Sequence, residues 1–176
     1  IYHKLGRIPH KRHTIFKKKD GSLHYEQLFG TIGFEGMSSL LYHLYRPTMV
    51  KEVGESLDVA PRAAVGHNIK FRLLKGLDVS AEKDYLDSRK ILLFNSDVNV
   101  GVAAPKKSVT TYFYKNADAD ELLFVHKGKG RLLSIFGEIP FEYGDYIIIP
   151  RGIIYQIQFE TEDNRLLFAE SHHPIY

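Results

Sequence analysis

The residues to weigh first for chemistry are the nine histidines, because neutral imidazole is the commonest protein ligand for a metal. His3, His10, His13 and His24 fall at irregular intervals in a basic stretch, and they read as surface or hydrogen-bonding groups. His43 sits in the apolar run "SSLLYHLY" and reads as a core histidine; His67 and His126 are isolated. His172-His173 is the best metal candidate left, but neighbouring side chains on a strand point to opposite faces and chelate one ion poorly. Cysteine is absent, which excludes disulfides and thiolate metal sites. No serine sits in a G-x-S-x-G elbow. The glycines of "GTIGFEG" (30–36) lack the strand–turn–helix context of a phosphate-binding loop.

Positioning any such group requires a folded core, and 176 residues suffice for one domain with an appendage. No apolar run approaches the roughly 18 residues of a membrane span. The start, "IYHKLGRIPHKRH", has no apolar signal core. The expectation is a soluble, cytoplasmic protein without a membrane partner. The lack of an initiator Met is read as trimming before Ile1. Net charge is only +3, yet Lys4, Arg7, Lys11, Arg12, Lys17, Lys18 and Lys19 face a single acid, Asp20, in the first twenty residues. Such an arm could bind phosphate backbones. The preferred reading is a solvated edge that discourages wrong strand pairing, with no nucleic-acid partner, because aromatics are not interleaved with the basic residues.

Strand signals dominate: "SLHYEQLF" (22–29), "SSLLYHLY" (38–45), "NIKFRLL" (68–74), "KILLFN" (90–95), "VTTYFY" (109–114), "ELLFVH" (121–126), "GRLLSIF" (130–136), "DYIIIP" (145–150), "YQIQFE" (155–160) and "RLLFAE" (165–170). Asp20-Gly21, Gly128-Lys129-Gly130, Gly137, Tyr143-Gly144-Asp145 and Pro150-Arg151-Gly152 supply turns between them. Short strands at this spacing predict an antiparallel sandwich or barrel. Periodicity alone leaves 38–45 open between helix and strand. "SAEKDYLDSRK" (80–90) could make a helical turn or two. The expected layout is an amino-terminal arm over 1–50, a connecting region over 51–84 and a β unit over 85–176.

Within that unit, two Gly-bounded motifs resemble the paired motifs of cupin barrels. In the metal-binding form of the first, a His-x-His pair and a Glu converge inside the barrel, and a Gly follows the Glu after six residues. Here Glu121 and Gly128 keep that spacing, and the His-x-His places hold Tyr114 and Asn116. The second motif runs from Gly144 through Pro150 and Gly152 to a ligand place held by Tyr155. The resemblance therefore implies an all-β, jelly-roll cupin with an extended arm, and its site positions Tyr114, Asn116, Glu121 and Tyr155 are degenerate. Phenols and amides are poor ligands for divalent iron, manganese or zinc beside imidazole and carboxylate. No metal, cofactor or catalytic residue is expected in this chain, and Glu121 should be a partly buried carboxylate bonded to a tyrosine or an amide.

A longer likeness covers nearly the whole chain. "GRIPHKRHTIFKKKDGSLHYEQLFGTIGFEGMSSLLYHLYRPT" (6–48), "YKNADADELLFVHKGKG" and "FGEIPFEYGDYIIIPRG" resemble the amino-terminal part of homogentisate 1,2-dioxygenases. That family implies two cupins, the first without metal and the second holding Fe(II) through two His and one Glu. It implies opening of the homogentisate ring with O2 to maleylacetoacetate, in tyrosine and phenylalanine breakdown. The chain ends at "ESHHPIY", where the iron-bearing cupin should begin, so the iron is expected outside it. The resemblance then implies a structural half, inactive alone, that partners a carboxy-terminal cupin in a homo-oligomer. The abrupt end is read as truncation. The alternative is a free-standing, metal-free cupin that binds a small molecule beside Tyr112, Tyr114, Glu121 and Tyr155.

Overall fold

The structure, a computed structural model, describes residues 15–64, 66 and 70–175, apart from the side chain of Thr31. The expectations placed on His3, His10, His13, His67 and the first basic residues of the arm lie outside the described residues. The chain divides into two compact units between Val59 and Ala60. None of the described helices is long and apolar enough to cross a membrane.

The first unit is built on a hairpin of β1 (Tyr25–Ile32) and β2 (Glu35–His43). Gly33, at φ +55°, makes the tight reversal between them, a conformation that suits glycine. Pairing from Tyr25↔His43 to Gly30↔Ser38 resolves the ambiguous apolar run as a strand. A second reversal forms at Asp20-Gly21, where the Asp20 carboxylate accepts the N–H and the hydroxyl of Ser22 at 2.9 and 2.7 Å. His43 is half buried rather than enclosed, and its Nε2 lies 2.9 Å from Gln27 Oε1.

Among the described residues, the second unit holds nine strands in two antiparallel sheets. The strands are β3 (Arg89–Phe94), β4 (Val98–Ala103), β5 (Tyr114–Lys115), β6 (Asp120–Lys127), β7 (Gly130–Ser134), β8 (Gly137–Phe141), β9 (Tyr146–Ile149), β10 (Ile154–Phe159) and β11 (Arg165–Ser171). One sheet runs β5-β10-β7-β8 and the other β3-β4-β11-β6-β9. The chain passes repeatedly from one sheet to the other, as in a jelly roll. The sheets remain two ladders rather than one closed ring.

Alternation along the strands defines the core. Leu123, Val125, Leu166 and Phe168 from the five-stranded sheet and Leu132, Tyr155 and Ile157 from the four-stranded sheet are buried. Each contributes roughly 1.5–3 kcal/mol by leaving water. The other face of the five-stranded sheet carries two apolar rows. Cross-strand register places Val100, Ala169, Leu122 and Ile148 in one row and Val102, Leu167, Phe124 and Tyr146 in the next.

Several elements differ from the sequence reading. Among residues 70–74 no strand forms, and of 109–114 only Tyr114 pairs, in the two-residue β5. The region around 85–88 makes a single turn, with the Ser88 N–H donating to the Asp84 carbonyl at 3.0 Å. A 3-10 turn appears at Gly76–Asp78.

Candidate functional site

Glu121 sits on β6 with its side chain turned inward, at 0% exposure. A bare carboxylate there would cost several kcal/mol in lost hydration, so its partners decide what the site can do. The Tyr155 hydroxyl, reaching across from the four-stranded sheet, donates to Glu121 Oε2 at 2.7 Å. The Tyr85 hydroxyl makes a long contact with Oε1 at 3.5 Å. Arg89, at the start of β3, places Nη1 at 3.7 Å from the same oxygen. The ring of Tyr114 meets that of Tyr155 edge-on, with centroids 5.5 Å apart.

A second carboxylate shares this cation. Register puts Glu170 on β11 directly opposite Glu121 on β6. Two like charges facing each other destabilise a sheet, and Arg89 compensates by placing Nη2 at 2.6 Å from Glu170 Oε1. Asn116 Nδ2 donates to that oxygen at 2.9 Å. Arg89 itself stacks over the Phe168 ring, 4.2 Å from its centroid, which fixes the guanidinium plane.

Titration follows from these contacts. Burial raises the Glu121 carboxyl above its ordinary range; the Tyr155 bond and Arg89 pull it part of the way back, while Glu170 pushes it up. Burial and then Tyr85 and the Glu121 charge hold the Tyr155 phenol well above its usual value. Tyr114 is pushed up to about 12, first by burial and then by Glu121. None of these tyrosines is a phenolate at neutral pH; Tyr155 donates to Glu121, while the Tyr114 oxygen accepts from Arg89.

The four degenerate positions are thus near one another but do not make a donor set. Both Glu121 oxygens have partners on the protein. Asn116 Oδ1 accepts the backbone N–H groups of Asp118 and Ala119 at 3.1 and 3.0 Å, so it holds a turn. Tyr114 and Tyr155 are protonated phenols. These residues do not fit a divalent metal, whose ligands must be free lone pairs in a converging shell. Among the described residues, no group of three or more His, Cys, Asp or Glu could hold a metal ion. His172 and His173 are not gathered with other ligands, and His173 Nε2 lies 3.6 Å from Asp97 at the surface.

The space beside the network is small. A cavity of about 10 Å³, lined by Tyr85, Leu86, Val109, Tyr114, Tyr155 and their neighbours, has room for about one water. Tyr112 lies outside it, with its hydroxyl donating to Asp84 Oδ2 at 2.9 Å. The sequence reading missed Arg89, Glu170 and Tyr85. Glu170 closes the run at 165–170, whereas Tyr85 and Arg89 fall in the stretch 80–90 read as a helical turn, and no motif spacing ties any of the three to Glu121.

An all-β jelly roll of the cupin type, with its central positions held by a Tyr–Glu–Arg–Glu–Asn network, is the class of protein defined here. The family pattern described as homogentisate 1,2-dioxygenase N-terminal matches residues 73–176, and the chain belongs to that family. Over 160 residues it is 38% identical to a Saccharolobus solfataricus protein that carries a dioxygenase name, covering 91% of this chain and 41% of that protein. It is 32% identical over 83 residues to a homogentisate 1,2-dioxygenase of Bradyrhizobium diazoefficiens, covering 43% of this chain and 18% of that enzyme. The chain therefore spans less than half the length of these relatives. Among solved structures, a cupin superfamily protein of Desulfitobacterium hafniense aligns with 62% of this chain and 98% of its own, at 14% identity and a TM-score of 0.48.

Proposed function

We propose that this chain is the metal-free amino-terminal part of a non-haem iron dioxygenase that opens the ring of homogentisate with O2 to maleylacetoacetate. In this reading it belongs to cytoplasmic tyrosine and phenylalanine breakdown. Fe(II) is held by a carboxy-terminal cupin outside these residues. The part described here packs on that cupin, takes part in a homo-oligomer and has no oxygenase activity alone. The observation that carries the reading is the pairing of family membership with a donor set already committed within the protein. Glu121 is engaged by Tyr155 and Arg89, and Asn116 by a turn and Glu170.

The test is oxygen uptake on homogentisate with added Fe(II). The 176-residue chain should consume none, while the full product of the same gene should consume it in proportion to bound iron. Uptake by the purified short chain would falsify the reading.

A further inference from the structure

We infer that the apolar outer face of the five-stranded sheet is where the polypeptide following Tyr176 docks. The inference rests on the proposed function, in which further chain follows these residues. The face is built by β6, β9 and β11. Leu122, Phe124, Tyr146, Ile148, Leu167 and Ala169 lie side by side on it in two cross-strand rows, with no charged residue among them. Tyr146, Ile148 and Leu167 are 67%, 44% and 41% exposed. The Phe124 and Tyr146 rings lie against each other across the strands, with centroids 4.7 Å apart and planes tilted by 36°. A contiguous apolar patch rimmed by polar residues marks an interaction site rather than an ordinary solvated sheet face. The protein's own chain covers one side of the same face: the turn at Gly76 approaches Val102 so closely that an added Cβ would meet its Cγ1 at 3.0 Å. Elsewhere on the face Leu122, Phe124 and Ala169 are half buried, while Tyr146, Ile148 and Leu167 remain exposed.

The course of the chain after β11 argues for the occupant. Glu121, Leu123 and Val125 point inward, so Asp120, Leu122 and Phe124 share the outer face. Asp120 Oδ2 accepts the N–H of Ile175 at 3.0 Å, and its Oδ1 accepts the N–H and Nε–H of Arg151 at 3.0 and 3.3 Å. Arg151 Nη2 in turn donates to the His172 carbonyl at 3.0 Å. The segment 172–175 is thus bent over the end of β6 on the outer side, one step along the strand from Leu122. A chain leaving there is delivered to the rim of the apolar rows. The S. solfataricus relative has more than half of its length unmatched by this chain, enough for another domain. The partner is therefore an apolar surface of the carboxy-terminal part of the same polypeptide, covalently held at high effective concentration.

Thiol labelling tests this, since the chain has no cysteine of its own. Tyr146→Cys is made in the 176-residue chain and in the full gene product, with Ile139→Cys on the four-stranded sheet as the comparison. Maleimide adducts are read by peptide mass spectrometry, and the intact mass of the gene product is measured first. The expected result is a longer polypeptide in which labelling at 146 is slower by at least about tenfold than in the short chain. Labelling at 139 should be unchanged. Equal rates at 146 in the two proteins would overturn the inference while leaving the proposed function standing. So would slowing at both positions together. Protection at 146 in the short chain that grows with its concentration would overturn it in favour of a second copy. A gene product of only 176 residues would remove both the docking partner and the proposed function, a result the mass alone distinguishes.

Discussion

Tyr155→Phe isolates one bond of the central network, and its effect should depend on pH. The lost hydroxyl donates to Glu121 Oε2 at 2.7 Å. A hydrogen bond to a charged group contributes about 1.5–3 kcal/mol and one between neutral groups about 1 kcal/mol. The cost therefore depends on whether Glu121 is ionised. Its folded pKa is raised above its ordinary value of 4.5, chiefly by burial. A carboxyl raised in this way binds its proton more tightly in the native state. The stability it contributes is complete below the unfolded pKa and is lost as pH rises through the folded one. Removing Tyr155 deletes a contact that lowers this pKa, so the folded value climbs further. More stability is then lost on going to neutral pH.

The variant should therefore lose about 2–3 kcal/mol near neutrality but only about 1 kcal/mol at a pH near the unfolded value. For a chain of this size, that is a drop in Tm of about 4–12 °C against about 2–4 °C. Urea denaturation at the two pH values, followed by far-UV circular dichroism, measures the difference. Glu121→Gln is the companion variant. It keeps the shape, removes the titration and should flatten the stability–pH slope over the same range. Equal losses for Tyr155→Phe at both pH values would refute the account, because they would mean that the bond never meets a charged Glu121.

Arg89→Met should cost about 3–5 kcal/mol at neutral pH, because it leaves Glu121 and Glu170 facing each other without their cation. The loss should shrink on acidification as Glu121, its carboxyl raised by burial, takes up its proton, and denaturation curves across pH would show it. Gly128→Ala should cost about 2–4 kcal/mol. Gly128 has φ +107°, and an added Cβ would lie 2.2 Å from Asn164 Oδ1. A change below about 1 kcal/mol in urea would mean that the turn can move aside. Asp120→Ala removes the acceptor for Arg151 and for the Ile175 N–H, with a loss of about 1–3 kcal/mol. Amide exchange at Ile175 should rise in step with it, and unchanged exchange would show that the bend at 172–175 is held by other contacts.

The two kinds of information in the sequence explain what could be read from it. Runs with β-branched and aromatic residues gave most strands, because that signal is local. β4 was missed, since Gly101 breaks its alternation. That glycine is required by distant groups: a Cβ there would meet the Lys90 carbonyl at 2.3 Å and the Phe168 ring at 2.5 Å. β8 was missed because Pro140 argues against a strand, yet it is the sheet's edge, where a missing N–H is tolerated. The site divides in the same way. Tyr114, Asn116, Glu121 and Tyr155 could be found because a motif with fixed spacing carries them. Arg89 and Glu170 could not, since only the register of β11 on β6 and the inward turn of β3 bring them to Glu121. Their presence also changes what the degenerate motif means. Had Glu121 merely lost its histidine companions, it would be a buried carboxylate without a cation, and the fold would be under pressure to replace it. Arg89 instead pairs with both Glu121 and Glu170, and Asn116 completes the set by donating to Glu170. In this set Glu121 bridges the two sheets through Tyr155, and reintroducing an imidazole at 155 would remove that bridge before it built a metal site.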